Sequence, residues 1–322
     1  MFRNLSIYGL PLSGRPSELI ELALSFGFEA LDLDILDFQR QADAFGAEHA
    51  RRLMVSARLK VGSFRLPVDL AADEATFADE MKLLPARLDV AQAAEASRAV
   101  ATVEPASDDH GFKDFFELYH TRLNAVGEQL ASRGIQLGLA FRPETEARAG
   151  KTHQFITTFE ELLGLVTTAH AQVGAVVDAW ALHVTGEPLD VIAKVPAGRL
   201  VEVRVSDAPQ DVAGGELTAE QRLMPGETGV IDAAAVVKAA QAAGFDGPVT
   251  PWANRATLAG RGREKTVRLA GERMEALWRA ADLPIVTPWF MPVAKEEAAF
   301  AGAGVGAESD GETEGGTSSE GA

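Results

Sequence analysis

The chain has 322 residues, of which 30 are Lys or Arg and 47 are Asp or Glu, so its formal net charge at pH 7 is −17. An apolar fraction of 47% and a charged fraction of 24% are typical of a globular protein and exclude global disorder. So acidic a chain repels polyphosphate, which argues against nucleic acid as a partner. The absence of cysteine excludes disulfides, thiolate metal sites and a cysteine nucleophile.

The apolar runs predict neither a signal peptide nor a membrane segment. The run that begins at Leu5 is interrupted by Gly9 and Pro11, so it is too short for the core of a signal peptide. No run of 18 apolar residues occurs in the sequence, whereas a membrane-spanning helix needs about 20. We therefore expect a cytoplasmic protein that contacts no membrane.

Short apolar runs alternate with longer amphipathic stretches along most of the chain. They predict eight strands, at residues 5–8, 30–34, 59–64, 99–103, 136–141, 173–178, 200–205 and 248–252. Helices are predicted between them, at residues 16–27, 42–55, 73–95, 113–132, 159–169, 188–194, 233–243 and 263–281. Pro85 should break or kink the third helix. This alternation predicts an α/β protein with a single closed (β/α)8 TIM barrel over residues 1–285, with an open doubly wound sheet as the alternative.

The end of the chain differs in composition from the barrel. Pro284, Pro288 and Pro292 prevent a further helix, and residues 295–322 carry a net charge of −6. Phe300 is the one large apolar residue in the final stretch, so too little surface can be buried to offset the entropy of ordering. We predict that residues 286–322 are a proline-broken linker and an acidic disordered tail.

Active sites of TIM barrels lie at the carboxyl ends of the strands. Polar and aromatic candidates at or near predicted strand ends are Asp34, Arg142, Glu144, Asp178, His183, Arg204, Asp207 and Trp252. Two more, Arg222 and Glu227, lie in the long loop 208–229, and loops of that length are usually functional.

Four segments in order, VGAVVDAWALH, RLVEVRVSDAP, RLMPGETGVID and GFDGPVT, resemble the xylose isomerase-like TIM barrels, the sugar phosphate isomerase/epimerase group. The opening SGRPSELIELALSFGFEALDLD resembles the first βαβ unit of that family, and the resemblance extends over residues 3–283. It implies isomerisation or epimerisation of a sugar, polyol or sugar phosphate by proton transfer beside a carbonyl. It also implies a divalent Mn²⁺, Mg²⁺ or Co²⁺ ion, held by two glutamates, an aspartate and a histidine at strand ends.

This chain departs from that ligand set. Ala140 stands where the family has the first glutamate, Arg204 stands at the histidine position, and residues 249–253 contain no carboxylate. Asp178 alone matches. Since one carboxylate binds a divalent ion weakly and an arginine repels it, we expect the family's metal to be weakly bound or absent.

Several hypotheses follow from this departure. A metal site has moved to other strand-end residues, drawn from Asp34, Glu144, Asp178, His183 and Asp207. Alternatively, Arg142, Arg204 and Arg222 replace the metal as clamps for a carbonyl or phosphate. In a third hypothesis catalysis has been lost, and the barrel only binds a sugar-like ligand or a protein partner. A misaligned motif also remains open, whereas a phosphodiester hydrolase is disfavoured because it needs a cluster of metals.

For an isomerase, we assign catalytic roles to Asp178, Arg204 and Asp207. Substrate-binding roles fall to Asp34, Arg142, Glu144, His183, Arg222, Glu227 and Trp252. The expected partner is a sugar-like small molecule, with a second copy of the chain as a further candidate.

Structural roles compete with these assignments. A salt bridge between Asp178 and Arg204 is the favoured explanation of both residues. Two alternatives stay open for Asp207: it caps the backbone of its loop or it binds substrate. Trp252 is favoured as a core aromatic at the barrel end. The acidic run 32–37 is interpreted as a solvated surface or helix cap, with Asp34 as its best site candidate.

Overall fold

The structure, a computed structural model, describes residues 1–46, 52 and 56–285. Eight parallel strands form a closed barrel. They are β1 (Phe2–Leu5), β2 (Ala30–Leu33), β3 (Lys60–Arg65), β4 (Arg98–Thr102), β5 (Gln136–Ala140), β6 (Val173–Asp178), β7 (Leu200–Val205) and β8 (Pro248–Pro251). Each strand pairs with the next one in this order, and β8 returns to β1, where Phe2 lies opposite Pro248. The predicted TIM barrel is therefore confirmed, and the open sheet is wrong.

Helices connect the strands. They are α1 (Pro16–Ser25), α2 (Ile35–Phe45), α3 (Glu74–Ala93), α4 (Phe112–Ala131), α5 (Phe159–Thr168), α6 (Ala179–Thr185), α7 (Ala233–Ala242) and α8 (Arg263–Ala280). Several of them follow an N-terminal capping residue whose side chain accepts a backbone N–H group of the helix, as Asp73 does for α3 and Thr158 for α5. Such caps satisfy N–H groups that have no partner within the helix.

Alternate residues of each strand face opposite sides of the sheet, and this divides the buried residues into two regions. Outward-facing residues such as Leu137 and Val203 belong to the main hydrophobic core. The interior of the barrel holds a separate, small cluster of Val100, Ala140 and Val176 from β4, β5 and β6. Side chains from the other five strands fill the rest of the interior with polar groups, which form the candidate site.

The first strand differs from its prediction. It covers Phe2–Leu5 rather than residues 5–8, because Ser6 already begins a turn in which its hydroxyl accepts the N–H groups of Tyr8 and Gly9. Arg3 and Asn4 are buried polar residues within this strand, so a search for apolar runs misses it.

Helix α3 is continuous through Pro85, so of the predicted break or kink the break is wrong. Leu84 and Leu88 on either side of the proline are fully buried, and their packing offsets the hydrogen bond that proline cannot donate. The predicted helix 42–55 lies partly outside the described residues, and α2 covers Ile35–Phe45. The predicted tail, 286–322, lies wholly outside them, so its disorder stays a prediction.

Two short features were not predicted. Residues Ala106–Ser107 and His153–Gln154 form a small antiparallel ribbon beside the barrel, and α6 follows β6 directly. In the described part of the chain, no helix combines the length and apolar character that a membrane crossing requires.

Neighbouring leucines of α3 provide a matched test of the core. Leu84 is fully buried whereas Leu83 is 53% exposed. We expect Leu84→Ala to lower the free energy of unfolding by about 2–5 kcal/mol, because it leaves a cavity in the core. Leu83→Ala should change it by about 0.5 kcal/mol or less. Urea unfolding of both variants checks this, and equal losses would contradict the packing described here.

Candidate active site at the mouth of the barrel

A chain of side-chain hydrogen bonds crosses the barrel interior over five adjacent strands. It starts on β3, where the Ser63 hydroxyl and backbone N–H donate to Asp32 Oδ1 of β2 at 3.1 and 3.0 Å. Asn4 Nδ2 of β1 donates to the same oxygen at 2.8 Å and to Thr250 Oγ1 of β8 at 3.1 Å. All of these groups are buried.

The same chain ends on β7. The Thr250 hydroxyl donates to Glu202 Oε1 at 2.7 Å, and Arg204 donates to Glu202 Oε2 through Nε at 3.3 Å and Nη2 at 3.1 Å. The guanidinium carbon of Arg204 lies 4.1 Å from the centroid of the Trp252 ring. Buried polar groups are costly without partners, so these contacts fix each other's positions.

The expected salt bridge between Asp178 and Arg204 is wrong, although the two residues are register partners in β6 and β7. Arg204 pairs with Glu202, which lies two residues earlier on the same face of its strand. Asp178 instead accepts both ends of the Arg222 guanidinium, at 2.7 and 3.0 Å, and its Oδ1 also caps α6. The planar fork of arginine matches a carboxylate in this bidentate way.

Asp207 organises the long loop. Its carboxylate accepts the backbone N–H groups of four residues, which are Ala208, Thr228, Gly229 and Ile231. Burial by itself would raise the pKa of Asp207, but these four donors together hold it below the ordinary value. The carboxylate is committed to the backbone, as the loop-capping interpretation expects.

Two cavities open at the mouth of the barrel, with volumes of about 350 and 210 Å³. Thr102, Arg142, Arg204 and Trp252 line both of them, so the cavities are neighbours on the two sides of these residues. The larger cavity reaches Asp32, and the smaller one reaches Glu144, Asp178 and Arg222.

Arg142 and Glu144 follow β5 and differ in their environment. Arg142 is exposed, and no ion pair joins it to a carboxylate in the described part of the chain. Glu144 is buried; its Oε1 accepts Trp180 Nε1 at 2.9 Å, whereas its Oε2 has no hydrogen-bond partner among the described residues. Trp252 is half-buried and covers Arg204, so it is not a simple core aromatic.

Four predicted site residues line neither mouth cavity, and Asp207, whose carboxylate holds the backbone of the loop, is one of them. Asp34 caps α2 by accepting the N–H groups of Leu36 and Asp37, and it faces a separate cavity beside α1 and α2. His183 lies in α6, and Glu227 is exposed in the loop.

Sequence reasoning missed Asp32 and Glu202 as site residues. Asp32 was grouped with a solvated acidic run, but it is 5% exposed and lies inside the barrel. The strand sequences ALDLD and LVEVRV contain the relevant pattern: their charged residues alternate with apolar ones and so share one face. In a closed barrel that face is the interior. Burial, and next the negative charge of Glu202, raise the pKa of Asp32 from 3.8 to about 6.

The residues at the mouth do not fit the divalent metal of the family. Ala140 packs in the apolar cluster, Asp178 is paired with Arg222, and the guanidinium of Arg204 lies at the histidine position. Across residues 1–46, 52 and 56–285, no three His, Asp or Glu side chains come together as a metal site. The relocated site drawn from Asp34, Glu144, Asp178, His183 and Asp207 is therefore not formed in the described structure.

The raised pKa of Asp32 predicts a pH-dependent stability. The folded state binds the proton of Asp32 more tightly than the unfolded state, so ionisation between about pH 4 and pH 6 costs stability. Relative to Asp32→Asn, the wild type should lose free energy of unfolding as the pH rises through this range. Urea unfolding from pH 4 to 8 checks this, with Asp232→Asn, an exposed helix cap, as the control. A difference that stays constant with pH would contradict it.

Comparisons with known proteins agree with this fold. The xylose isomerase domain protein of Alicyclobacillus acidocaldarius is 23% identical and superposes with a TM-score of 0.79, over 88% of this chain and 99% of that one. An IOLI protein with a binding zinc atom is 16% identical, with a TM-score of 0.73 over 86% of this chain and 98% of that one. D-Psicose 3-epimerase with D-tagatose from Clostridium cellulolyticum is 11% identical, with a TM-score of 0.66 over 87% and 99%.

Likeness at such low identity shows the fold alone, and no curated protein matches the chain. The sequence profile of one family does match, over residues 20–276. Because this match covers most of the chain, the protein belongs to the xylose isomerase-like TIM barrel family.

Proposed function

We propose that the chain binds a sugar-like molecule at the mouth of the barrel and moves a proton beside its carbonyl without a divalent metal. The substrate class is a sugar, polyol or sugar phosphate, as for an isomerase or epimerase of this family. One observation supports this most strongly. The guanidinium of Arg204, oriented by Glu202 and covered by Trp252, lies between two cavities where the family has a metal ligand.

Arg204 has the properties of an electrophile for a carbonyl oxygen. Its guanidinium is permanently charged, and the two bonds to Glu202 hold it in one orientation. A positive group held in place before the reaction stabilises the negative charge that develops on the oxygen. This is the task that a metal performs in metal-dependent proton transfer.

Arg142 supports the binding of an anionic group. It lines both cavities, it is exposed, and its charge is not neutralised by an ion pair within the described residues. Arginine binds phosphate and carboxylate oxygens through paired N–H groups. Trp252, which also lines both cavities, adds apolar surface to them.

A non-catalytic binding barrel is the second candidate. Its support is that three buried carboxylates at or near the mouth are committed: Glu202 to Arg204, Asp178 to Arg222, and Asp207 to the backbone. Proton transfer requires a group that can gain and lose a proton, and in this mouth the candidates are its carboxylates. The choice between the candidates therefore depends on whether the mouth contains one.

The role of Arg142 in binding gives a direct test. We expect D-fructose 6-phosphate to bind more tightly than D-fructose, and Arg142→Ala to weaken binding of the phosphate about tenfold or more. The reason is the loss of a charge-assisted hydrogen bond worth about 1.5–3 kcal/mol. Titration calorimetry and ligand-induced shifts in the unfolding midpoint measure both effects.

Arg279→Ala is the matched control, because Arg279 is an exposed arginine of α8. It should leave both affinities unchanged. If the wild type binds neither compound, or if Arg142→Ala binds the phosphate as well as the wild type does, the proposed anion site is wrong.

A further inference from the structure

Like Glu144, whose partner is Trp180, Asp32 differs from Glu202 and Asp178 in having neutral partners. Asn4 and Ser63 donate to its Oδ1, and the Ser6 hydroxyl also hydrogen bonds to the carboxyl. Glu202 and Asp178 each pair with an arginine instead. A carboxylate in an ion pair resists protonation, whereas one held by neutral donors in a buried site accepts a proton more readily.

Asp32 also has the required position. It lines the 350 Å³ cavity together with Arg204 and Trp252, so one bound molecule can contact the carboxyl and the guanidinium. Asp69 and Glu104 line this cavity too, but both are exposed to solvent. Asp32 is thus the buried carboxyl of the cavity, and its hydrogen bonds from β1 and β3 fix its orientation.

The charged and titratable groups that face Asp32 come from several elements. Glu202 of β7 acts on it from across the interior, and Tyr8 and Asp34 follow β1 and β2. Arg65 at the end of β3 stacks on the Tyr8 ring at 3.8 Å and adds a positive charge nearby. Burial and the charge of Glu202, opposed by hydrogen bonds from Ser6, Asn4 and Ser63, place the pKa of Asp32 at about 6, within the range where a group both takes and returns protons near neutral pH.

We propose that Asp32 is the catalytic residue that carries the proton, and that the reaction is a 1,2-shift between a ketose and an aldose on one face of the substrate. This inference rests on the proposed function of the mouth. One buried carboxyl that takes a proton and returns a proton on one face of the substrate suits transfer between adjacent carbons. Epimerisation at one carbon would require a second group on the opposite face.

The step balances without an oxidant or reductant. The Asp32 carboxylate takes a proton from the hydroxyl-bearing carbon beside the ketone, the C–H electrons form a C=C bond, and the carbonyl oxygen becomes an oxyanion held by Arg204. The proton of the neighbouring hydroxyl moves to that oxyanion. Asp32 then returns its proton to the former carbonyl carbon, and the C=O bond forms again at the adjacent carbon.

Hydrogen exchange tests the proposal. The wild type is incubated in D₂O with D-fructose 6-phosphate, D-ribulose 5-phosphate, dihydroxyacetone phosphate, D-fructose or D-tagatose, and deuterium beside the carbonyl is followed by NMR. We expect incorporation into at least one of these compounds. Asp32→Asn should slow it about 100-fold or more, the usual effect of removing a general base. The ligand-induced shift in unfolding midpoint should be retained in this variant.

The outcomes separate the inference from the proposed function. Exchange by Asp32→Asn at the wild-type rate overturns the role of Asp32 but leaves the proposed function intact. Binding without exchange by the wild type overturns the inference and favours the binding barrel. If the wild type neither binds nor exchanges any of the five compounds, the proposed function fails, and the inference with it.

Two controls complete the design. Asp232→Asn, which changes an exposed helix cap to another good cap, should exchange as the wild type does. If Asp32→Asn does not fold, the pH profile of the wild type decides the question. Its exchange rate should rise through one ionisation near pH 6, and a flat profile from pH 5 to 8 overturns the proposal.

Discussion

The need to satisfy polar groups inside a closed barrel is the constraint on which the mouth depends. Five adjacent strands direct polar side chains inwards, and each finds its partner on the same strand or a neighbouring one, from Ser63 to Arg204. The other three strands contribute the small apolar cluster of Val100, Ala140 and Val176 to this interior. Because these groups are buried, loss of one member leaves another unpaired, and the chain therefore holds its members in one arrangement.

That arrangement places two opposite charges at the mouth, the Arg204 guanidinium and the Asp32 carboxylate, and their partners differ. Arg204 is held by Glu202 and cannot leave the position where the family has a metal ligand. Asp32, at the other end of the same chain, is held only by neutral donors. The barrel thus retains the fold of its family while its mouth presents a guanidinium and a carboxyl, and fold and chemistry separate in this way in many TIM barrels.

The sequence predicted the barrel well, because short apolar strands alternate with amphipathic helices and this alternation is visible in the sequence itself. It predicted the site less well. The predicted first strand begins three residues after the observed one, which contains the polar residues Arg3 and Asn4. The interpretation of Asp32 as a surface residue is wrong for the same reason, because both predictions treat polar residues as solvated. The partner of Asp178 was also wrong, since register predicts Arg204 while the bidentate partner, Arg222, comes from a loop that periodicity does not position. Asp178 and Arg204 were found because they match positions of the family's motifs.

The central claim is that a guanidinium has replaced the metal at the mouth of this barrel. The most direct measurement is the thermal unfolding midpoint of metal-stripped protein with and without millimolar Mn²⁺, because an ion that binds only the folded state must raise it. We predict no change in the midpoint. An upward shift that is lost in Asp178→Asn would contradict the account and would show a metal site built around that carboxylate.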